Sequence, residues 1–271
     1  MPAATIPSRK AADASLMLLW GIHPVLEVLK SSPRQLKELF VTRQKTTPKL
    51  QEIVTIARQH RIAINSAPEA FAATLQKNDA GQVVHQGVLA RSEPFPLLKL
   101  DDLLAGLKSA PAASPPVFLA LDSIKDPQNV GAIMRSALAA GVAGILVAKD
   151  RAAPLRGAVA KASAGAISRL RICQVTNLPN ALQQLKKEGL WLFGTVKDAE
   201  RTLYSADFSI PTCLVMGSEE KGLRPLVRKQ CDFLISIPMS GGLDSLNVST
   251  AAAVVLFEIA RQRLTVLSSG S

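Results

Sequence analysis

From Val117 onward the apolar residues of this chain fall into short unbroken runs separated by stretches of helical spacing. Val117–Leu121, Gly144–Ala148, Leu170–Val175, Leu190–Val196, Cys213–Met216 and Phe233–Met239 are runs of strand length. Between them Val130–Ala140, Leu155–Ile167 and Leu178–Lys187 read as helices, and a closing helix is expected from about Val248 to Arg263. Strands that are apolar on both faces and alternate with helices of this length predict an α/β fold, a parallel sheet flanked by helices.

The front of the chain has a different grain. Ile22–Leu29 and Lys49–His60 have helical spacing, Glu69–Leu75 suggests another helix, and Phe40-Val41, Ile62–Ile64 and Gly87–Ala90 read as strands. Residues 16–95 are therefore expected to form a small α/β domain. Pro94, Pro96 and the PAASPP stretch of Pro111–Pro116 bracket a short helix-like segment, Leu100–Leu107, and 96–116 is expected as a linker to a second domain over 117–265. Residues 1–15 and 266–271 carry no such pattern and are expected to be a disordered N-terminus and a flexible tail. There is no internal repeat.

Composition narrows the function. The 271 residues are 48% hydrophobic, enough for real cores, and carry a formal charge of +11. Residues 1–95 hold 12 Lys/Arg against 7 Asp/Glu, and the remainder 20 against 14, so the excess is not confined to a tail. A polyanionic partner, above all nucleic acid, fits this balance, with a merely basic surface as the alternative. The three cysteines and the dispersed His23, His60 and His85 have no metal spacing and give no signal for Ser/His/Asp chemistry. Reduced, buried thiols in a cytoplasmic protein are the expectation. No uninterrupted apolar run reaches the ~18–20 residues of a membrane span, and the opening MPAATIPSRKAADAS lacks the core of a secretory signal. No strand leads into G-x-G-x-x-G or a Walker sequence, which argues against an ordinary dinucleotide or nucleotide enzyme.

Candidate chemistry lies where strands stop. Cys213–Met216 ends at Gly217-Ser218-Glu219, Phe233–Met239 ends at Ser240-Gly241-Gly242, and Ser245–Ser249 leads into an Ala-rich helix. Ligands of open α/β sheets sit at the carboxyl ends of strands, although polar residues at such junctions also serve as helix caps. Asp126-Pro127 favours a turn, and Asn129 is placed to cap the helix starting near Val130. Arg135, inside an otherwise small and apolar helix, is either a solvated outer charge or a guanidinium aimed at the strand ends to hold a phosphate or a developing alkoxide.

Together DPQNVGAIMRSA, LVMGSEEKGL and SLNVSTA, in this order and spacing, resemble the three signature motifs of the SpoU/TrmH-type (SPOUT) RNA 2'-O-ribose methyltransferases. The resemblance covers Val117–Arg263. GIHPVLEVL and HQGVLA make the first domain similar to the substrate-binding domain of the RlmB-like branch. The resemblance implies a C-terminal trefoil knot, a homodimer, S-adenosylmethionine as methyl donor, RNA as substrate and no metal. It implies donor contacts around Met216, Gly217, Ile237, Pro238 and Leu246, and catalytic positions at Arg135, Asn129, Glu219, Ser245 and Asn247. The family's arginine has been assigned as general base, yet a guanidinium is effectively always protonated in proteins, so stabilising the alkoxide is the better role. Lys161, Arg151 and Arg156 are candidate RNA contacts, with Arg169 and Arg171 behind them. Two departures stand out: Glu220 follows the motif glutamate where the family often has Gly, and Ala140 replaces a frequent aromatic. The implied activity is methylation of a guanosine in large-subunit ribosomal RNA, with transfer RNA as the alternative substrate. The rival is a non-catalytic RNA-binding assembly factor of the same fold.

Overall fold

The computed structural model describes residues 16–42, 47–66, 85–108, 115–242 and 244–269. In chain order its first elements are β1 (Met17–Trp20), α1 (Ile22–Ser31), β2 (Leu36–Val41), α2 (Pro48–Gln59), β3 (Ala63–Ser66), β4 (Val88–Ser92) and α3 (Leu100–Lys108). There follow β5 (Val117–Leu121), α4 (Pro127–Ala139), β6 (Gly144–Ala148), α5 (Gly157–Ala162), β7 (Ile172–Val175), α6 (Leu178–Lys187), β8 (Trp191–Thr195) and β9 (Arg201–Thr202). The last are β10 (Thr212–Met216), α7 (Pro225–Arg228), β11 (Phe233–Ser236) and α8 (Val248–Ser269). Two compact units result: residues up to Phe95 with Leu155–Ser168, and Pro96–Pro154 with Arg169 onward.

The first unit is a four-stranded sheet in the order β1-β4-β2-β3, antiparallel except for the parallel β2–β3 pair. Leu19, Val25, Leu29, Leu39, Ile53 and Leu89 form its interior. The expected helix at Glu69–Leu75 lies outside the described residues. Leu155–Ile167, expected as one helix of the second domain, is neither continuous nor part of that unit. Its α-helical portion is only α5, with a 3-10 turn over Ala166–Ser168, because Ala164 and Gly165 take φ of 51° and 89°, left-handed values that end a right-handed helix. Small size is what seats α5 on β1. A Cβ on Gly157 would fall 2.2 Å from the Leu18 carbonyl oxygen and 2.3 Å from the Trp20 ring.

The second unit is built on seven parallel strands in the order β7-β6-β5-β10-β8-β11-β9. β5, β6 and β10 are buried along their whole length, the reason their sequences are unbroken apolar runs rather than alternating ones. The stretch expected as a linker belongs largely to this unit. Leu103 and Leu104 of α3 are buried, Leu98 bridges to Cys173 of β7, and Arg171 donates to the Asp102 carbonyl at 3.2 Å. The strand expected to reach Met239 stops at Ser236, two residues before Pro238. β11 lies between two neighbours, and a proline without N–H is not accommodated in an interior strand.

α8 passes Arg263 and continues through the expected tail to Ser269. Its seat is polar. Arg263, nine-tenths buried, donates to the carbonyls of Phe208 (3.0 Å), Ile210 (2.9 Å) and Pro115. Gln262 accepts from the Phe208 amide at 2.9 Å and donates to the Ala206 carbonyl at 3.0 Å. Replacing Arg263 with Met strands three carbonyls, and leaving the buried one of Phe208 unpaired costs about 1–3 kcal/mol by itself. Arg263→Met is expected to lower the thermal midpoint measured by circular dichroism, and Arg263→Lys to recover only part of the loss, since one ammonium cannot span the three acceptors.

Candidate active site

β10 lies between β5 and β8, with Met216 opposite Leu121 and its carbonyl accepting from the Asp122 amide at 2.8 Å. Beyond Met216 the chain folds back on itself. Ser218 and Gly222 exchange backbone hydrogen bonds of 3.1 and 2.8 Å, and the Lys221 amide reaches the Ser218 hydroxyl at 3.3 Å. A Cβ on Gly217 would sit 2.2 Å from the Gly222 carbonyl carbon and 2.4 Å from the Leu223 nitrogen. Glycine is needed there because the loop's own backbone occupies the space of a side chain.

Both sides of this loop are tied down. Asp122, wholly buried, accepts from the Arg224 amide at 2.9 Å and from its Nε at 2.6 Å. Glu219 Oε1 accepts from Asn129 Nδ2 at 2.8 Å, Asn247 Nδ2 at 2.7 Å and the Val248 amide at 3.4 Å. Asn247 Nδ2 also donates to Asn129 Oδ1 at 3.0 Å. Three of the five expected catalytic positions thus form one hydrogen-bonded cluster.

Asn129 is not the helix cap expected from the sequence. Asp126 caps α4, accepting from the Gln128 amide at 2.9 Å, with Pro127 at the first position. This places Asn129 inside the first turn, buried, with its amide free for Glu219. Asn247 does both jobs: its Oδ1 accepts from the Ser249 amide (2.9 Å) and hydroxyl (2.6 Å) at the start of α8, while its Nδ2 serves the cluster.

A cleft of about 620 Å³ opens beside the loop, at the carboxyl ends of β10, β8 and β11. Met216, Gly217, Ile237, Leu246, Glu219 and Ser245 line it; Pro238, Asn129, Asn247 and Arg135 are not among its lining residues. The sequence reading missed Thr195, Val196, Lys197 and Asp198, which form the wall at the end of β8. Their signal was the apolar run Leu190–Val196 stopping at a Lys-Asp pair, the same strand-end rule that pointed to Gly217. Thr195 Oγ1 donates to the Val215 carbonyl at 3.3 Å, joining the two walls. Lys197 and Asp244 pair at 3.2 Å across the mouth, in solvent and therefore weakly.

The remaining expected residues lie elsewhere. Arg135 is exposed on α4, with its face turned about 120° around the helix axis from that of Asn129, and no hydrogen bond or ion pair joins it to the described residues. Arg151 is exposed with φ of 60°, and Arg156, also exposed, precedes α5. Lys161 is half-buried in the first unit and donates to Gln86 Oε1 at 3.1 Å, and burial holds its pKa below the usual lysine range. Among the described residues no cluster of His, Cys, Asp or Glu could hold a metal ion, and no helix is long and apolar enough to cross a membrane.

Residues 116–257, the sheet, cluster and cleft together, match the SpoU rRNA Methylase family. The chain belongs to that family. Residues 18–98 match the family of RNA 2'-O ribose methyltransferase substrate-binding domains. Among SpoU relatives, the 23S rRNA (guanosine-2'-O-)-methyltransferase RlmB of Escherichia coli K12 is 37% identical over 249 residues, 91% of this chain and 98% of that protein. The RlmB of Pseudomonas putida is 37% identical over 254 residues, 92% of this chain and 98% of that protein. The SpoU methyltransferase AviRb of Streptomyces viridochromogenes, solved in complex with AdoMet, superposes with a TM-score of 0.75 at 26% identity, over 96% of this chain and 95% of that one.

Two substitutions test the loop and its anchor. Gly217→Ala forces the backbone of Gly222 and Leu223 to move and is expected to cost about 1–3 kcal/mol in chemical denaturation. Asn129→Ala and Glu219→Ala, alone and combined, are expected to be non-additive, with a coupling of about 0.5–3 kcal/mol in a double-mutant cycle.

Proposed function

We propose that this protein transfers a methyl group from S-adenosylmethionine to the ribose 2'-hydroxyl of a guanosine in 23S-type ribosomal RNA. The observation that carries the reading is the Asn129–Glu219–Asn247 cluster fixing one wall of a cofactor-sized cleft in a SpoU family chain. The names of the RlmB relatives supply the substrate, and the AviRb complex supports the donor.

The cleft suits that donor. Its volume falls in the ~300–1,000 Å³ range of small-molecule sites. Met216, Ile235, Ile237 and Leu246 offer an apolar surface for a flat purine, with backbone groups of the Gly217 and Leu246 loops for its polar edge. Asp198, Glu219, Glu220 and Asp244 line the cleft with Lys197, Lys221 and Arg228, so the lining is net acidic by one charge in a chain of charge +11, which is compatible with a sulfonium. Glu220, where the family often has glycine, adds to this acidity. When bound, S-adenosylmethionine supplies an electrophilic methyl group.

The protein's own groups do the rest. Met216, Gly217, Ile237 and Leu246 hold the donor, and Pro238 and Ser245 shape the loop beside it. Glu219, with Asn129 and Asn247, keeps the loop in register with α4 and α8. Arg135, although outside the lining of this cleft, is the guanidinium that the family motif assigns to orient the RNA phosphate and balance the charge of the emerging 2'-alkoxide. Because a guanidinium stays protonated, the hydroxyl proton leaves to that phosphate or to water. The first unit grips structured RNA by shape and backbone, with Lys161 and Arg156 as its phosphate contacts and Arg151 as one from the second unit.

The same reading includes a trefoil knot, a homodimer and a cytoplasmic location, where ribosomal RNA is found. The knot is supported by β10 lying between β5 and β8 while Asn247, which follows β11 in the chain, bonds to Asn129 and Glu219. A second copy of the chain is supported by Phe257 and Leu264, two turns apart on α8 and 52% and 68% exposed, on the helix that packs against α4 and its Arg135.

Methyl transfer from labelled donor to 23S rRNA, followed by mass spectrometry of the nucleosides, tests the activity; 2'-O-methylguanosine is the expected product. Arg135→Ala is expected to slow transfer by roughly 100-fold or more while calorimetry still shows donor binding. Transfer to tRNA alone would redirect the substrate. Donor silence with and without rRNA would favour the non-catalytic assembly factor. Phe257→Asp with Leu264→Asp is expected to give monomers in sedimentation velocity; an unchanged dimer would remove this face from the interface.

A further inference from the structure

The segment that follows the Gly217–Leu223 loop forms a cationic edge. From Lys221 to Lys229 the chain carries Lys221, Arg224, Arg228 and Lys229 and no carboxylate. Lys221, Arg228 and Lys229 are exposed, and none has a side-chain hydrogen bond or ion pair with the described residues. Scattered unpaired lysines are ordinary surface. These four cations fall within nine positions, on a loop and the short α7 that follows it.

Arg224 is held differently from the other three. Its Nε donates to Asp122 Oδ1 at 2.6 Å and its amide to Oδ2 at 2.9 Å, and Asp122 also takes the Ser123 hydroxyl at 3.2 Å. A guanidinium offers five N–H donors in a planar fork. Asp122 uses the inner one, leaving the two η nitrogens without a partner among the described residues. The side chain is 34% exposed while the carboxylate behind it is 0% exposed. The fork is therefore set in orientation before any ligand arrives, which lowers the ordering cost of binding an anion.

The strip lies on the edge of the cleft, because Lys221 and Arg228 are among its lining residues. A ribose entering the cleft brings the phosphates on either side of it, one charge per nucleotide. Neither Glu219, whose Oε1 is engaged by Asn129 and Asn247, nor the adjacent Glu220 forms an ion pair with these cations. We propose that Lys221, Arg224, Arg228 and Lys229 form a phosphate-binding rim for the RNA backbone, with Arg224, oriented by buried Asp122, as its fixed point. This rests on reading the cleft as the donor site, which places the reacting ribose there.

The test is filter binding of full-length 23S rRNA transcript to the whole protein, without donor, across a salt series, with calorimetry of S-adenosylmethionine on the same preparations. Lys229→Gln leaves the Asp122 anchor intact. It is expected to weaken RNA binding and reduce the slope of log K against log salt by about one unit, with donor affinity unchanged. Arg224→Gln is expected to reduce the slope by a similar amount and to weaken RNA binding more, because a pre-set contact is lost. Arg224→Lys keeps the charge and is expected to keep the slope while losing affinity. Wild-type slopes in both Lys229→Gln and Arg224→Gln would overturn the rim. So would Arg224→Gln losing donor binding and melting temperature together while Lys229→Gln changes nothing, since Arg224 would then be only a loop anchor. Failure of the donor-site reading shows separately, as absence of donor binding by the wild type with and without the transcript.

Discussion

One carboxylate oxygen does the work of three joints. Glu219 Oε1 collects Asn129 from the first turn of α4, Asn247 from the end of the last loop and the amide that opens α8. These partners are 90, 28 and 29 positions away along the chain. Without that acceptor, two amide side chains lose their common anchor, and the loop after β10 loses its link to the elements on either side. A hydrogen bond to a charged acceptor contributes about 1.5–3 kcal/mol, and the donors here also bond to each other. Position, more than stability, is the return: the wall of the cleft is held from outside the cleft.

The sheet order makes this gathering possible. The chain builds outward from β5 through β6 and β7, crosses to β8, and only then inserts β10 between β5 and β8. The carboxyl end of β10 thus faces elements from both halves of the sheet. Asp122, at the end of β5, takes the far end of the loop through Arg224, and Thr195, at the end of β8, takes the carbonyl of Val215. The cleft takes its walls from the ends of β10, β8 and β11, three neighbouring strands of this order.

Much of this was legible in the residues. β5, β6 and β10 are buried on both faces, so their unbroken apolar runs declared them. Gly217 declared a close approach, although what approaches is the loop's own backbone. Other features were hidden for physical reasons. β1 is four apolar residues without alternation or a turn before it, and β9 is only two residues long. Ala164 is a good helix former yet takes a left-handed φ, so α5 read as longer than it is. Asn129 looked like a cap because its true partner lies 90 positions on, and chain-local reasoning assigns local roles. The motif resemblance, not spacing or periodicity, put Asn129, Glu219 and Asn247 on one page. Lateral strand order cannot be read along a chain, which is why the end of β8 was overlooked as a wall.

The distances in sequence between the members of the Glu219 cluster carry a consequence for how the protein folds. Contacts between residues 90 to 118 positions apart close large loops, and the entropy of closure has to be spent before such contacts reward it. A parallel sheet whose central strand inserts late compounds that delay. The cleft is therefore among the last features to appear as the chain orders itself and among the first to go when it loosens. A molecule that occupies it selects fully native chains over partly folded ones, so ligand occupancy doubles as a report on completed folding.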